Sequence, residues 1–195
     1  MVVEDGSARG VVAGGERLDA DRVVMAAGAW TGELAASFGA RLPIEPRRGQ
    51  MVALAHVPPV LTHCVHAEGV YLVPRPSGEL LIGATVERVG FQRAVTAAGI
   101  AELLTAATRL VPALGDLPIS RTWCGFRPWA ADGLPVIGPW PGVDNLFVAT
   151  AHFRNGILLA PITARLVTAW LREGRPSSFA LEEFLPDRFL KEHTR

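Results

Sequence analysis

Two arginines, each set among aromatic and apolar neighbours, constrain this chain more than any other feature. Arg127 stands in Trp123-Cys124-Gly125-Phe126-Arg127-Pro128-Trp129, followed by the Pro/Gly-rich crossing from Ala130 to Gly138. Arg154 stands in Ala151-His152-Phe153-Arg154-Asn155-Gly156, just ahead of the apolar run Ile157-Leu158-Leu159-Ala160-Pro161. Both are read as lying on glycine-flanked turns beside apolar runs, which suits a buried pocket for a small carboxylate. A buried guanidinium needs a partner, and a carboxylate satisfies it bidentately. Two other partners compete for Arg127: stacking on a neighbouring tryptophan, or a bond to Asp132.

The second stretch has a further property. A strand ending at Thr150, a short turn and then a helix leave unpaired backbone N–H groups at the helix start, a place that favours negative charge. The alternative is that Asn155 does no more than cap the helix. Tyr71, the single tyrosine, precedes Pro74 on a strand, where its hydroxyl either completes a carboxylate clamp or serves packing. His63, His66 and His152 have no metal-ligand or triad partners at suggestive spacing. No G-x-G occurs anywhere, so a phosphate-cradling dinucleotide fingerprint is absent from these residues.

Composition narrows the class. Nineteen basic and nineteen acidic side chains cancel, leaving no field to attract nucleic acid or an anionic membrane. Hydrophobic residues make up 49% and charged residues 19%, which is apolar for a globular chain. Either strands are buried on both faces of a parallel sheet, or part of the surface packs against something else, a second copy or a missing N-terminal half. Cys64 and Cys124 have no metal-type spacing and read as buried thiols of a reducing compartment. The N-terminus is not a signal peptide, and the longest apolar stretch, Gly156 to Leu171, is broken by Pro161 and Arg165. The chain is most simply cytoplasmic, with no membrane span and no nucleic-acid partner.

Along the chain, residues 1 to 19 alternate apolar pairs with Asp5-Gly6 and Gly14-Gly15, an antiparallel meander. Asp21 to Gly28 reads as a strand buried on both faces, with Gly28 free to approach a ligand. A helix over Thr31 to Phe38 stops at Gly39. Gln50 to Ala55 is a strand, and Val70 to Pro74 with Glu79 to Val86 form a hairpin around Arg75-Pro76-Ser77-Gly78. The spacing of Ile100, Leu103, Leu104, Ala107, Leu110 and Val111 predicts a helix over 96–111 that Pro112 ends. Asn145 to Thr150 is a strand, and the last helix spans Asn155 to Arg172, bent near Pro161 and stopped by Gly174 and Pro176.

Four stretches together resemble the D-amino-acid oxidase family of FAD-dependent enzymes, and most closely its glycine oxidase branch linked to thiamine biosynthesis. They are VVMAAGAW from Val23, YLVPR from Tyr71, GFRPWAADGLPVIG from Gly125 and HFRNGILLAP from His152. The likeness spans the whole chain but matches the C-terminal part of such an enzyme, with the G-x-G-x-x-G strand upstream of Met1. It implies an α+β, α/β chain: residues 1–45 and 127–195 as an incomplete Rossmann-like FAD-binding domain, and 46–126 as an antiparallel-sheet substrate domain with a covering helix. The cofactor implied is FAD and the substrate a small amino acid. Its carboxylate would pair with Arg127, Arg154 and Tyr71, and hydride would pass to the flavin. Water would hydrolyse the imine, and O2 would restore FAD with release of H2O2. No residue is needed as a general base if the amine arrives neutral. His152, Phe153, Arg154, Asn155, Gly156, Ile157, Leu158 and Gly28 would contact the cofactor.

Ala151 departs from a glycine common in the family, which would set the backbone less closely against the flavin. Lacking the pyrophosphate site, the chain alone would bind FAD weakly and be inactive. The alternatives are a sarcosine or D-amino-acid dehydrogenase relative using another acceptor, and a non-catalytic fragment or subunit completed by a separate chain.

Overall fold

The computed structural model describes residues 1–55, 59–174 and 181–189. Along the sequence run β1 (Val2–Glu4), β2 (Ser7–Ala13), β3 (Glu16–Asp19), β4 (Val23–Met25), α1 (Thr31–Ala36), β5 (Ile44–Ala55) and β6 (Val65–Ala67). Then come β7 (Val70–Pro74), β8 (Glu79–Gly83), α2 (Ala97–Leu110), β9 (Ile119–Ala130), β10 (Val136–Pro139), β11 (Leu146–Thr150) and α3 (Gly156–Glu173). The chain divides into two compact units, Met1–Pro46 with Arg127–Arg195, and Arg47–Phe126.

In the first unit, β1, β2 and β3 form the expected meander. Its two-residue loops, Asp5-Gly6 (φ 48° and 74°) and Gly14-Gly15 (φ 60° and 87°), have positive φ at both positions. That is the hairpin geometry whose twist matches the flanking strands, and it explains Asp-Gly and Gly-Gly here. A second sheet has the order β10-β11-β4, with β10 antiparallel and β4 parallel to β11. Met25, Leu42, Val136, Trp140, Leu146 and Val148 pack as its core.

β4 corrects an expectation. It is three residues long and forms an edge of its sheet, and Met25 is buried at 1% while Val24 is 37% exposed. The apolar run therefore covers one face only. α1 ends two residues before the expected Phe38, and Gly39 (φ 80°) turns the chain. α3 lies within a residue of its expected span, continues through Pro161, and stops at Gly174 in the left-handed conformation (φ 75°). Pro176, the other expected stop signal, lies outside the described residues.

The second unit holds a five-stranded sheet of order β6-β7-β8-β5-β9. β7 and β8 make the expected hairpin, although β8 ends at Gly83, before Val86. Val52, Leu54, Leu72, Leu80 and Ile82 are buried against Leu103 and Ala107 of α2. Thr96 caps α2, its hydroxyl accepting from Gly99 N at 3.2 Å, and Pro112 opens a 3-10 turn past its end. Cys64 is exposed and Cys124 half-buried, against the expectation of two buried thiols. Both lie in segments where neighbouring side chains are themselves exposed or partly exposed.

A buried polar network pins β5 to this helix. Arg48 pairs with Glu87 and donates to Gln92 O at 3.0 Å. Gln50 Nε2 donates to Glu87 Oε1 at 2.8 Å and to Thr96 Oγ1 at 3.0 Å, while Thr96 N donates to Gln50 Oε1 at 2.7 Å. Burial works against the Glu87 charge, but the bonds from Arg48, Thr85 and Gln50 outweigh it and hold the carboxyl below its ordinary range. Replacing Arg48 by Met should cost about 2 kcal/mol in urea unfolding, because it strips a partly buried carboxylate of its cation. A depressed carboxyl stabilises fully above its unfolded pKa and ceases to as pH falls through the folded value. Glu87→Gln should therefore flatten the loss of stability on acidification, read as urea midpoints across pH 3 to 7.

Candidate functional site

Parallel strands β4 and β11 end side by side, and the chain leaves both through left-handed turns. After β4, Gly28 has φ 54° and an added Cβ there would meet nothing within 4 Å. After β11, Ala151 (φ 63°) and Phe153 (φ 49°) adopt the same unusual region. Left-handed backbone costs a non-glycine residue roughly 1–2 kcal/mol, so two in three residues mark a turn held by its surroundings.

Two buried hydroxyls hold the strand ends together. Thr150 Oγ1 donates to Gly28 O at 2.9 Å. Thr31 Oγ1 lies 2.8 Å from the same carbonyl and 3.1 Å from Thr150 Oγ1. The Ala151 side chain is 1% exposed and belongs to the core of the unit. The methyl is covered by protein, and the alanine carries conformational strain that a glycine would not.

The two arginine-bearing segments meet through Trp129 and Phe153, whose rings pack edge to face with centroids 4.9 Å apart. Arg127 is not on a turn. It lies half-buried in β9, a strand that the mixed charged, aromatic and proline composition concealed. Arg154 does lie on the turn before α3 and is exposed. Asp132 pairs with Arg188 at 2.6 Å. Burial opposes the Asp132 charge, but Arg188 and the Leu134 N–H keep its carboxyl below the ordinary range. Arg121 lies over the Trp123 ring, 4.5 Å from its centroid. Tyr71 belongs to the other unit, in β7, with its hydroxyl donating to Met51 Sδ at 3.7 Å.

His152 is half-buried, and its Nε2 lies 2.9 Å from Thr163 Oγ1, one side chain donating to the other. Burial pushes the imidazole pKa down. No sequence signal pairs these two, because the turn and the first helical turns of α3 separate them.

Asn155 is the N-cap of α3 by position, yet its side chain makes no cap hydrogen bond. The first helical bond is Leu159 N to Asn155 O at 2.8 Å. The N–H groups of Gly156, Ile157 and Leu158 consequently have no partner within the helix. Beside them Ile157 is 96% exposed and Leu158 79% exposed. Backbone donors and bare apolar side chains thus share one surface, which fits a flat, conjugated group with a polar edge.

Residues 2–170 match the family model described as FAD dependent oxidoreductase (DAO). The chain belongs to this family. It is 38% identical over 176 residues to a glycine oxidase of Pseudomonas putida, covering 90% of this chain and 48% of the relative. It is 41% identical over 196 residues to the bifunctional protein ThiO/ThiG of Trichormus variabilis, covering 98% of this chain and 29% of that protein. A crystal structure of glycine oxidase from Geobacillus kaustophilus superposes with a TM-score of 0.83 at 40% identity, covering 90% of this chain and 47% of that one. The chain spans about half the length of the glycine oxidases it matches. The family's cofactor is FAD, and its Rossmann-like fold accounts for the parallel β4/β11 pair. Among the described residues, no helix is long and apolar enough to cross a membrane.

The residues fit the ring end of FAD: a glycine with open space at Gly28, uncapped helix N–H groups, and exposed Ile157 and Leu158. The phosphate end finds no G-x-G in the sequence. Thr150→Val removes a buried donor to the Gly28 carbonyl and should lower stability by about 1–2 kcal/mol, measured by urea unfolding. His152 should titrate below 6.5 in an NMR pH series. Because its folded pKa is depressed, its effect appears as stability lost when pH falls from about 6.5 through the folded value.

Proposed function

We propose that this chain supplies the carboxylate-binding and flavin-ring-binding parts of an FAD-dependent oxidase acting on glycine or a similar small amino acid. The observation that carries the reading is the start of α3, where N–H groups with no partner within the helix lie beside exposed Ile157 and Leu158. The likeness to glycine oxidases supports the substrate class, and the resemblance to their thiamine-linked branch supports a role in thiamine biosynthesis. Residues 1–45 with 127–195 act as the FAD-binding domain and 46–126 as the substrate domain.

Arg127 and Arg154 pair with the substrate carboxylate, with the Tyr71 hydroxyl as a further donor. Fixing that carboxylate fixes the α-carbon, so the protein contributes orientation and charge more than proton transfer. Burial disfavours the charged form of His152 and favours the neutral imidazole with its single ring N–H, and the residue is assigned to cofactor contact with Phe153, Asn155, Gly156 and Gly28. Bound FAD supplies the two-electron acceptor, restored by O2 with formation of H2O2.

The test is a titration of the purified chain with FAD, followed by visible absorbance, and then by glycolate as a carboxylate probe. Weak, saturable FAD binding and a glycolate-dependent change in the flavin band are expected. Arg127 is only half-buried, so Arg127→Ala should weaken glycolate by about 2 kcal/mol, roughly thirtyfold. Unchanged glycolate affinity in that variant would remove Arg127 from the site.

A further inference from the structure

The sheet of the second unit has two unlike faces. Val52, Leu72 and Ile82 are fully buried in the cluster that includes Leu103 and Ala107 of α2. Their neighbours in sequence, Met51, Tyr71 and Gly83, point to the opposite face, because side chains alternate along a strand. The register aligns them in one row: His66 opposite Tyr71, Tyr71 opposite Gly83, and Gly83 opposite Met51.

In that row Gly83 leaves a gap that the tyrosine occupies. A Cβ at position 83 would lie 2.6 Å from both Tyr71 Cζ and Tyr71 Oη, and 2.9 Å from Met51 Cε. The phenol thus lies across the glycine, its hydroxyl reaching Met51 Sδ at 3.7 Å. On its other side the His66 ring packs with centroids 5.6 Å apart and planes 31° apart.

We propose that Gly83 is a positioning residue, whose missing side chain seats the Tyr71 phenol and so sets where its hydroxyl donates to a substrate carboxylate. The inference rests on the role given to Tyr71 above. A thioether is a weak acceptor, so shape more than hydrogen bonding holds the hydroxyl on Met51. A carboxylate oxygen, a far stronger acceptor, can then take the hydrogen bond without the ring having to move.

This seat predicts an unusual signature. Gly83 is not in the left-handed region, and the atoms an alanine would meet are the far ends of two side chains. Gly83→Ala should therefore leave the backbone in place and displace the phenol. Tyr71 is the chain's single tyrosine, so tyrosine labelled with carbon-13 at Cζ gives one NMR resonance.

The experiment compares Gly83→Ala, Met51→Leu and Tyr71→Phe in the full chain with FAD in excess. In Gly83→Ala the resonance should move while the urea midpoint stays near that of the parent. Glycolate should bind about tenfold more weakly, the equivalent of one hydrogen bond. Met51→Leu should leave both properties close to the parent.

An unmoved resonance in Gly83→Ala, or an equal movement in Met51→Leu, overturns the proposal. Glycolate affinity unchanged in both Gly83→Ala and Tyr71→Phe overturns Tyr71 as a carboxylate donor, and the proposal with it. A loss confined to Tyr71→Phe overturns the seat alone. Should Gly83→Ala unfold the chain, the double variant Gly83→Ala/Tyr71→Val refolds it if the phenol is the obstacle. A double variant that stays unfolded overturns the seat.

Discussion

The Gly28 carbonyl, with Thr31 and Thr150 hydroxyls gathered on it, is the tie on which the paired strand ends of the first unit depend. β4 and β11 share a short parallel ladder of three aligned pairs, Leu146 with Val23 through Val148 with Met25. So few backbone bonds would hold the strand ends loosely. The two threonines extend the connection one step past the ladder, inside the core, where a hydroxyl that lost its partner would pay a full desolvation penalty. With the strand ends tied, the turn at Gly28 and the turn from Ala151 to Asn155 have a fixed spacing. The start of α3 inherits its position from them.

Much of this was legible before any coordinates. The meander, the β7/β8 hairpin, α2 and α3 followed from periodicity and turn chemistry, because each is set by residues close together in sequence. The segments around Arg127 and Arg154 stood out as chemistry-bearing for the same reason. Three features were not legible, and each depends on contacts distant in sequence. Arg127 lies in a strand because β9 pairs across a sheet, although Gly125 and Pro128 read locally as turn residues. Val24 is exposed because, among the described residues, its face of β4 is not covered as the Met25 face is, and an apolar run does not say which faces a strand has covered. The pairing of His152 with Thr163, and the seating of Tyr71 over Gly83, leave no trace in composition or spacing at all.

The apolar composition finds a partial account in where the side chains lie. α3 is rich in leucine and isoleucine, yet among its residues only Leu166 is buried. Ile157 and Leu158 stand at its start with almost their whole surface in water. Scattered exposed apolar residues need no explanation, but two adjacent ones beside backbone donors with no partner in the helix form a surface of mixed character. Such a surface suits a ligand that is apolar over its face and polar at its rim. A purely apolar partner would leave the N–H groups unsatisfied, and a purely polar one would leave the isoleucine and leucine bare.

The distribution of strain supports the same division of labour. Ala151 and Phe153 accept left-handed backbone that glycine would take freely, and each is paid a different compensation by the fold. Ala151 gains burial of its methyl group in the core, while Phe153 gains the edge-to-face contact with Trp129. An edge-to-face pair contributes about 0.5–1.5 kcal/mol beyond burial, comparable to the roughly 1–2 kcal/mol of a left-handed residue. The turn is therefore balanced, neither relaxed nor severely strained, by contacts that reach into β9. A change at Trp129 would disturb the balance at Phe153, and through it the residues Arg154 and Asn155 that follow. The two arginine segments, far apart in sequence, are mechanically one element.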